Sequence, residues 1–139
     1  MADVVNAFME ALLALDRLSA KQIFLDQSRT LSRIQFIEEV VASALERIGT
    51  RWQEGSVALS QVYMGGRICE QLVDEILPPS APERKDQPKM AICVLADHHK
   101  LGKIIVYSLL RASGFELLDY DTVNVDDLVE NVQRDQIKV

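Results

Sequence analysis

All four prolines of this 139-residue chain stand close together, at Pro78, Pro79, Pro82 and Pro88. Each fixes φ and removes a backbone N–H, so neither a helix nor a sheet interior accommodates such a density. Charged residues fill the space between them, and the stretch reads as a linker. The chain therefore divides into a first module over residues 1–78, a linker over 79–89, and a second module from 90 to 139.

Before the linker the apolar residues recur at helical spacing. Asp3 to Leu15 carries Val4, Val5, Phe8, Leu12 and Leu13 as one stripe. Ser19 is the expected N-cap of a short second helix containing Ile23, Phe24 and Leu25. The clearest periodic segment follows, with Ile34, Ile37, Val41, Ala44, Ile48 and Trp52 on one face of a long helix. Gly55 is its natural stop. A fourth helix, from Leu59 to Leu77, presents Leu59, Val62, Gly66, Cys69, Val73 and Ile76. Four amphipathic helices with short connections predict an antiparallel bundle. Gly65 and Gly66 cost a helix interior about 1 kcal/mol each against alanine. Their presence implies that another surface, a helix or a flat ligand, comes close there.

After the linker the pattern becomes β-loop-α-β-α. Met90 to Ala96 is a continuous apolar run, as expected of a strand buried on both faces. Gly102 precedes a helix carrying Ile104, Ile105, Tyr107, Leu109 and Leu110, and Gly114 ends it. Phe115 to Tyr120 is the expected second strand and Val125 to Arg134 the next helix. Gln136 to Val139 opens a third strand. Two strands and a stub are too few for a free-standing parallel sheet, so this module is either cut short or completed by another chain.

Composition removes several classes of function. Hydrophobic residues make up 48%, enough for a real core, and aromatic residues only 6%, so that core is aliphatic. A net charge of −6 argues against nucleic acid as a main partner. No apolar run approaches the roughly 20 residues of a membrane span. Asp3 and Glu10 interrupt the apolar N-terminal stretch, so no signal peptide is expected. Cys69 and Cys93 form no metal-knuckle spacing and read as small buried hydrophobes. A cytoplasmic setting is the simplest expectation.

The segment with chemical potential is Leu95-Ala96-Asp97-His98-His99-Lys100-Leu101-Gly102-Lys103. It lies where a strand gives way to a helix, and in open α/β sheets ligands collect outside the carboxyl ends of strands. An imidazole there can reach a ligand crevice. Asp97, two residues before His99, can accept the second ring N–H, which fixes the tautomer and raises the basicity of the free nitrogen. Gly102 leaves space for a bulky group. Simpler roles stand beside these. His98 and His99 can be ordinary loop residues, with His98 facing solvent, and Asp97 can be a helix N-cap. A zinc site from Cys93, Asp97, His98 and His99 is poorly arranged, because Cys93 precedes the loop within the strand. The acidic residues Asp119, Asp121, Asp126 and Asp127 read as a solvated strand end and helix N-terminus.

Asp97, His99 and Gly102 match Asp-x-His-x-x-Gly, and the match continues into Lys103-Ile104-Ile105-Val106. In this the chain resembles the cobalamin-binding region of methionine synthase, carbon-skeleton mutases and corrinoid methyl carriers. Residues Ile48 to Gly55 and Leu59 to Met64 resemble the helical cap of methanol-, methylamine- and methoxyaromatic-type corrinoid proteins. Ala96 stands where a glycine is common in that family, and Lys100 where an acidic residue is frequent. The resemblance implies an α plus α/β fold: a four-helix cap followed by a truncated flavodoxin- or Rossmann-like parallel domain over 90–139. It implies a cobalamin cofactor with His99 as the lower cobalt ligand, Asp97 holding His99, and Gly102 beside the ring. Tyr63 and Met64 would stand near the upper face, with Trp52 supporting the lid. The implied function is a methyl carrier between a donor-specific methyltransferase and an acceptor methyltransferase, kept active by a reductive activator. It is a subunit of a methyltransferase system rather than a stand-alone catalyst. A cobalamin-dependent sensor, or a flavodoxin-like interaction module without cofactor, are the competing readings.

Overall fold

The structure is a computed structural model and describes residues 1–77, 86–95 and 100–139. Asp97, His98 and His99, and with them the expected ligand loop, lie outside the described residues, as does most of the proline-rich stretch.

Helix α1 (Ala2–Leu13) turns Val5, Phe8, Met9 and Leu12 inward. Helix α2 (Arg17–Gln27) is capped by Asp16, not by Ser19: the Asp16 carboxylate accepts the Ser19 N–H at 3.0 Å. Ser19 sits three residues into the segment, at the position a capping carboxylate reaches for. Helix α3 (Arg33–Gln35), a π-helical stretch (Phe36–Ala42) and α4 (Ser43–Gln53) follow one another without a break. A Ser32–Gln35 capping box starts this run, and Gly55, at φ +79°, follows its end. Phe36, Ile37, Val40, Val41, Ala44, Leu45 and Ile48 are buried along it, whereas Ile34, expected on that face, is 39% exposed. The aromatic contribution to the core is small and local: Phe36 meets Phe8 and Phe24 edge to face at 5.6 and 5.1 Å. Helix α5 (Leu59–Ile76) packs against α1, α4 and α6.

Strand β1 (Ala91–Leu95) and strand β2 (Leu118–Val123) pair in parallel, linked by the crossover helix α6 (Lys100–Ala112). Gly114, at φ +86°, follows α6, and Gly102 lies within the helix rather than before it. Strand β2 begins three residues later than expected. Its pairing runs from Ala91 opposite Leu118 to Leu95 opposite Val123, with an irregularity between Ile92 and Val94. That irregularity lies opposite Asp121, which takes a left-handed φ of +57°. Strand β1 is not buried on both faces: only Val94 is buried and Leu95 is exposed. A strand needs neighbours and covering layers to be buried, and among the described residues β1 has one paired strand. The Val139 carbonyl accepts the Ala91 N–H at 3.0 Å, and the Lys138 N–H reaches the Lys89 carbonyl at 2.8 Å. The expected third strand thus begins to lie alongside the entry to β1. Helix α7 (Val125–Asp135) packs lightly on β2, held by Tyr120 donating to Asp135 at 2.6 Å.

The main core is continuous across the linker. It runs from Val5 and Phe8 through Ile37, Leu45 and Val73 to Ile104 of α6. Helix α6 therefore shares its buried face with the helical half, while its other side carries the sheet.

Candidate functional site

The two halves meet along α5 and α6, which run in the same direction. At the centre of the seam the contact is apolar and close. A Cβ on Gly65 would stand 3.1 Å from the Leu12 carbonyl oxygen, and one on Gly66 would stand 3.2 Å from Ile104 Cδ1. The paired glycines thus answer to two packed helices, α1 on one side and α6 on the other. Leu101 fills the hollow between Gly49 and Gly66, 3.7 Å from each absent Cβ.

Next to this contact is a cavity of about 150 Å³ lined by Gly49, Trp52, Leu59, Val62, Tyr63 and the Lys100–Gly102 turn, with Gln53 at its edge. Its walls come from both halves of the chain. Tyr63 and Gly102, both expected in the site, line it together. Among the described residues, a Cβ on Gly102 would meet nothing within 4 Å. Trp52 lines the same cavity and packs against the core. Met64 is 53% exposed and is not among the lining residues. The cavity is smaller than the roughly 300–1,000 Å³ usual for a ligand pocket. A second, open hollow beside β1 is lined by Ile92 to Leu95, Gly102, Lys103 and Val106.

The electrostatic centre of the seam is Lys103, whose side chain is 2% exposed. Its Nζ donates to both oxygens of Asp119, at 2.8 and 2.7 Å, and to Asp121 Oδ1 at 3.4 Å. It also stands 3.2 Å from Glu70 Oε1 on α5. Burial alone would lower the Lys103 pKa, but Asp119 and Glu70 outweigh it and hold it above the ordinary lysine value. Asp121 shows the reverse balance. Desolvation would raise its carboxyl, but the nearby Lys103 and Lys100 ammoniums bring it below the usual carboxylate range. Lys100 Nζ pairs with Asp121 at 3.3 Å and lies 5.4 Å above the Tyr63 ring. Glu70 is buried, and its Oε2 has no hydrogen-bond partner among the described residues; Arg67 is 3.6 Å away.

Asp119 and Asp121 are therefore not simply solvated, and the Lys103–Glu70 pair was missed by sequence reasoning. A signal for it existed. Glu70 falls between Cys69 and Val73 on the buried face of α5, and Lys103 lies one turn before Tyr107 on the buried face of α6. A charged residue in register with a buried stripe calls for a counter-charge. Among the described residues no group of three or more His, Cys, Asp or Glu is arranged to hold a metal ion. No described helix is long and apolar enough to cross a membrane.

With this geometry in hand, comparison with known proteins is specific. Residues 4–77 match the model of the B12 binding domain. The chain is 30% identical over 110 residues to monomethylamine corrinoid protein 2 of Methanosarcina acetivorans, covering 76% of this chain and 49% of that protein. It is 27% identical over 106 residues to trimethylamine corrinoid protein 2 of Methanosarcina mazei, covering 72% and 48%. The chain thus spans about half the length of the curated relatives it matches. Two solved structures share the fold at 18% identity. The monomethylamine corrinoid protein of Methanosarcina barkeri gives a TM-score of 0.60, over 96% of this chain and 64% of that one. The methanol:cobalamin methyltransferase complex MtaBC of the same organism gives 0.52, over 97% and 54%. The resemblance to corrinoid proteins is borne out: the chain belongs to the B12 binding domain family.

Proposed function

We propose that this chain carries a corrinoid in a methyl-transfer system, passing methyl groups between a donor-specific and an acceptor methyltransferase. The observation that carries this reading is the cavity between the family-matched helices and Gly102, the last residue of the Asp97–Gly102 motif. When bound, the corrinoid supplies the cobalt that takes up and gives back the methyl group. The chain's own residues supply binding, orientation and protection. His99 would hold the cobalt, and Asp97 would accept its other ring N–H, fixing which nitrogen is free. Gly102 leaves room for a flat ring. Tyr63 and Trp52 form the apolar roof, with Met64 beside them, and exclude water from the reacting face.

The chemistry of this seam suits such a group; its size does not, as the halves now sit. A cavity of about 150 Å³ requires α4 and α5 to part from α6 before a corrin ring enters. The helical residues 1–78 then act as a four-helix cap, residues 79–89 as the tether, and residues 90–139 as part of the parallel α/β cofactor domain. The partners in this reading are two methyltransferases and a reductive activator, in the cytoplasm.

The test is an absorbance titration of the chain with hydroxocobalamin beside a His99→Ala variant. Retention of the corrinoid, with bands shifted in the parent and unshifted in His99→Ala, supports the assignment. The same ligand-field bands in both proteins refute His99 as the lower ligand.

A further inference from the structure

The contacts across the α5–α6 seam share one polarity. Lys100 lies over the Tyr63 ring, and Lys103 pairs with Glu70 at 3.2 Å. Tyr107 donates to Asp74 at 2.9 Å and Arg111 to the same carboxylate at 3.2 Å. In each contact the donor or cation is on α6 and the acceptor on α5. The polar pairs flank an apolar centre where Gly66 meets Ile104. Polar contacts of this kind are characteristic of interfaces between domains within one chain. Lys103 and Lys100 each link α5, α6 and β2, and of the two Lys103 is the more enclosed, its side chain 2% exposed against 14%. Glu70 meets Lys103 with one oxygen, and among the described residues the other has no hydrogen bond, with Arg67 3.6 Å away. Lys103 holds two oxygens of Asp119 and only one of Glu70, so on separation the ammonium keeps its closer partners while Glu70 passes to water.

We propose that Lys103 is a clasp: its ion pair with Glu70 holds the helical half closed on α6, and its release from Glu70, with Asp119 retained, opens the seam. That the opened seam admits a corrinoid rests on the function proposed above; the clasp itself does not. Opening separates Trp52 from the Leu101–Gly102 wall it shares a cavity with. Trp52 is the chain's single tryptophan, so its emission reports the seam alone.

The experiment is acrylamide quenching of Trp52 in the corrinoid-free chain, with Glu70→Gln and Lys103→Met variants and Lys103→Arg as the charge-keeping control. Glu70→Gln leaves Lys103 paired with Asp119 and preserves shape, so far-UV circular dichroism stays unchanged while the quenching constant rises severalfold. Lys103→Met rises as far, the double variant rises no further, and Lys103→Arg stays near the parent. If Lys103→Met does not fold, Glu70→Gln decides alone. Equal quenching in parent and Glu70→Gln overturns the clasp.

Stopped-flow mixing with hydroxocobalamin tests the gate. Association severalfold faster in Glu70→Gln is expected, because more of the chain is already open. Equal rates in the two proteins overturn the gate. No binding to either, with Trp52 quenching still raised, refutes the corrinoid reading and leaves the clasp standing.

Discussion

Gly65 and Gly66 are neighbours on α5, yet replacing each with alanine has opposite consequences. In an unobstructed helix either change adds about 1 kcal/mol of stability. At Gly65 the new Cβ meets the Leu12 carbonyl at 3.1 Å, and a backbone oxygen in the last turn of α1, itself bonded by the Leu15 N–H, cannot step aside alone. Forcing two packed helices apart costs about 1–3 kcal/mol, which exceeds the propensity gain. Gly65→Ala is therefore destabilising by about 1 kcal/mol. At Gly66 the obstacle is Ile104 Cδ1 at 3.2 Å, the far end of a flexible side chain, with Leu101 Cδ2 at 3.7 Å. A displacement of a few tenths of an ångström relieves it, and Gly66→Ala is stabilising by about 0.5 kcal/mol once that small strain is subtracted from the propensity gain. Urea unfolding followed by circular dichroism separates the two. With a slope of about 2 kcal/mol per molar, the midpoints lie roughly 0.7 M apart, Gly66→Ala above the parent and Gly65→Ala below. Midpoints in the reverse order would refute the assignment of α1 to one glycine and α6 to the other.

Three other outcomes follow from the same coordinates. Burial, and after it the adjacent Glu70 carboxylate, pushes the Cys69 thiol up to about 12; with a thiol reagent at about pH 8, Cys93 therefore reacts in the native chain and Cys69 only on unfolding. Equal rates for the two thiols would contradict this. Hydrogen bonds from Arg134 and Tyr120 hold Asp135 at about 2, below the value of 3.8 for a free aspartate. A depressed folded-state pKa stabilises the fold above the unfolded value, so the Tyr120–Asp135 tie between β2 and α7 persists until pH falls through about 2. Carboxyl carbon NMR gives the midpoint, and Tyr120→Phe raises it; a midpoint near 4 in both proteins rules the tie out. Asp16→Ala removes the α2 cap and costs about 1 kcal/mol in chemical denaturation, whereas Ser19→Ala costs less. Equal costs would return the cap to Ser19.

The periodic signals were the most legible. Apolar residues at steps of three and four marked α1, the long helix through α4, and α5, because a stripe of that width has to be buried. Gly55 and Gly114 marked two helix ends, because each takes a positive φ that glycine adopts freely. What was not legible depends on contacts between distant residues. Phe115-Glu116-Leu117 looked like a strand opening because Phe115 and Leu117 are apolar. The partner strand begins only opposite Leu118, so β2 runs instead into Asp119 and Asp121. Those acids read as solvated because Lys103 is sixteen residues from Asp119 in sequence. The adjacent glycines showed that something comes close to α5 but not whether it is a helix or a flat ligand. The motif itself was legible as Asp97, His99 and Gly102, and of these only Gly102 is among the described residues. It lines one cavity with Tyr63.

The most direct test of the account is electron paramagnetic resonance of the chain reconstituted with cobalamin and reduced by one electron. The chain has two histidines, His98 and His99, so labelling histidine with nitrogen-15 changes the nuclear spin at both and at no other side chain. The account predicts that each cobalt line carries a nitrogen triplet that collapses to a doublet on labelling. It predicts that the triplet survives in His98→Ala and is lost in His99→Ala. A triplet unchanged by the label would show that the cofactor's own base, and not His99, holds the metal.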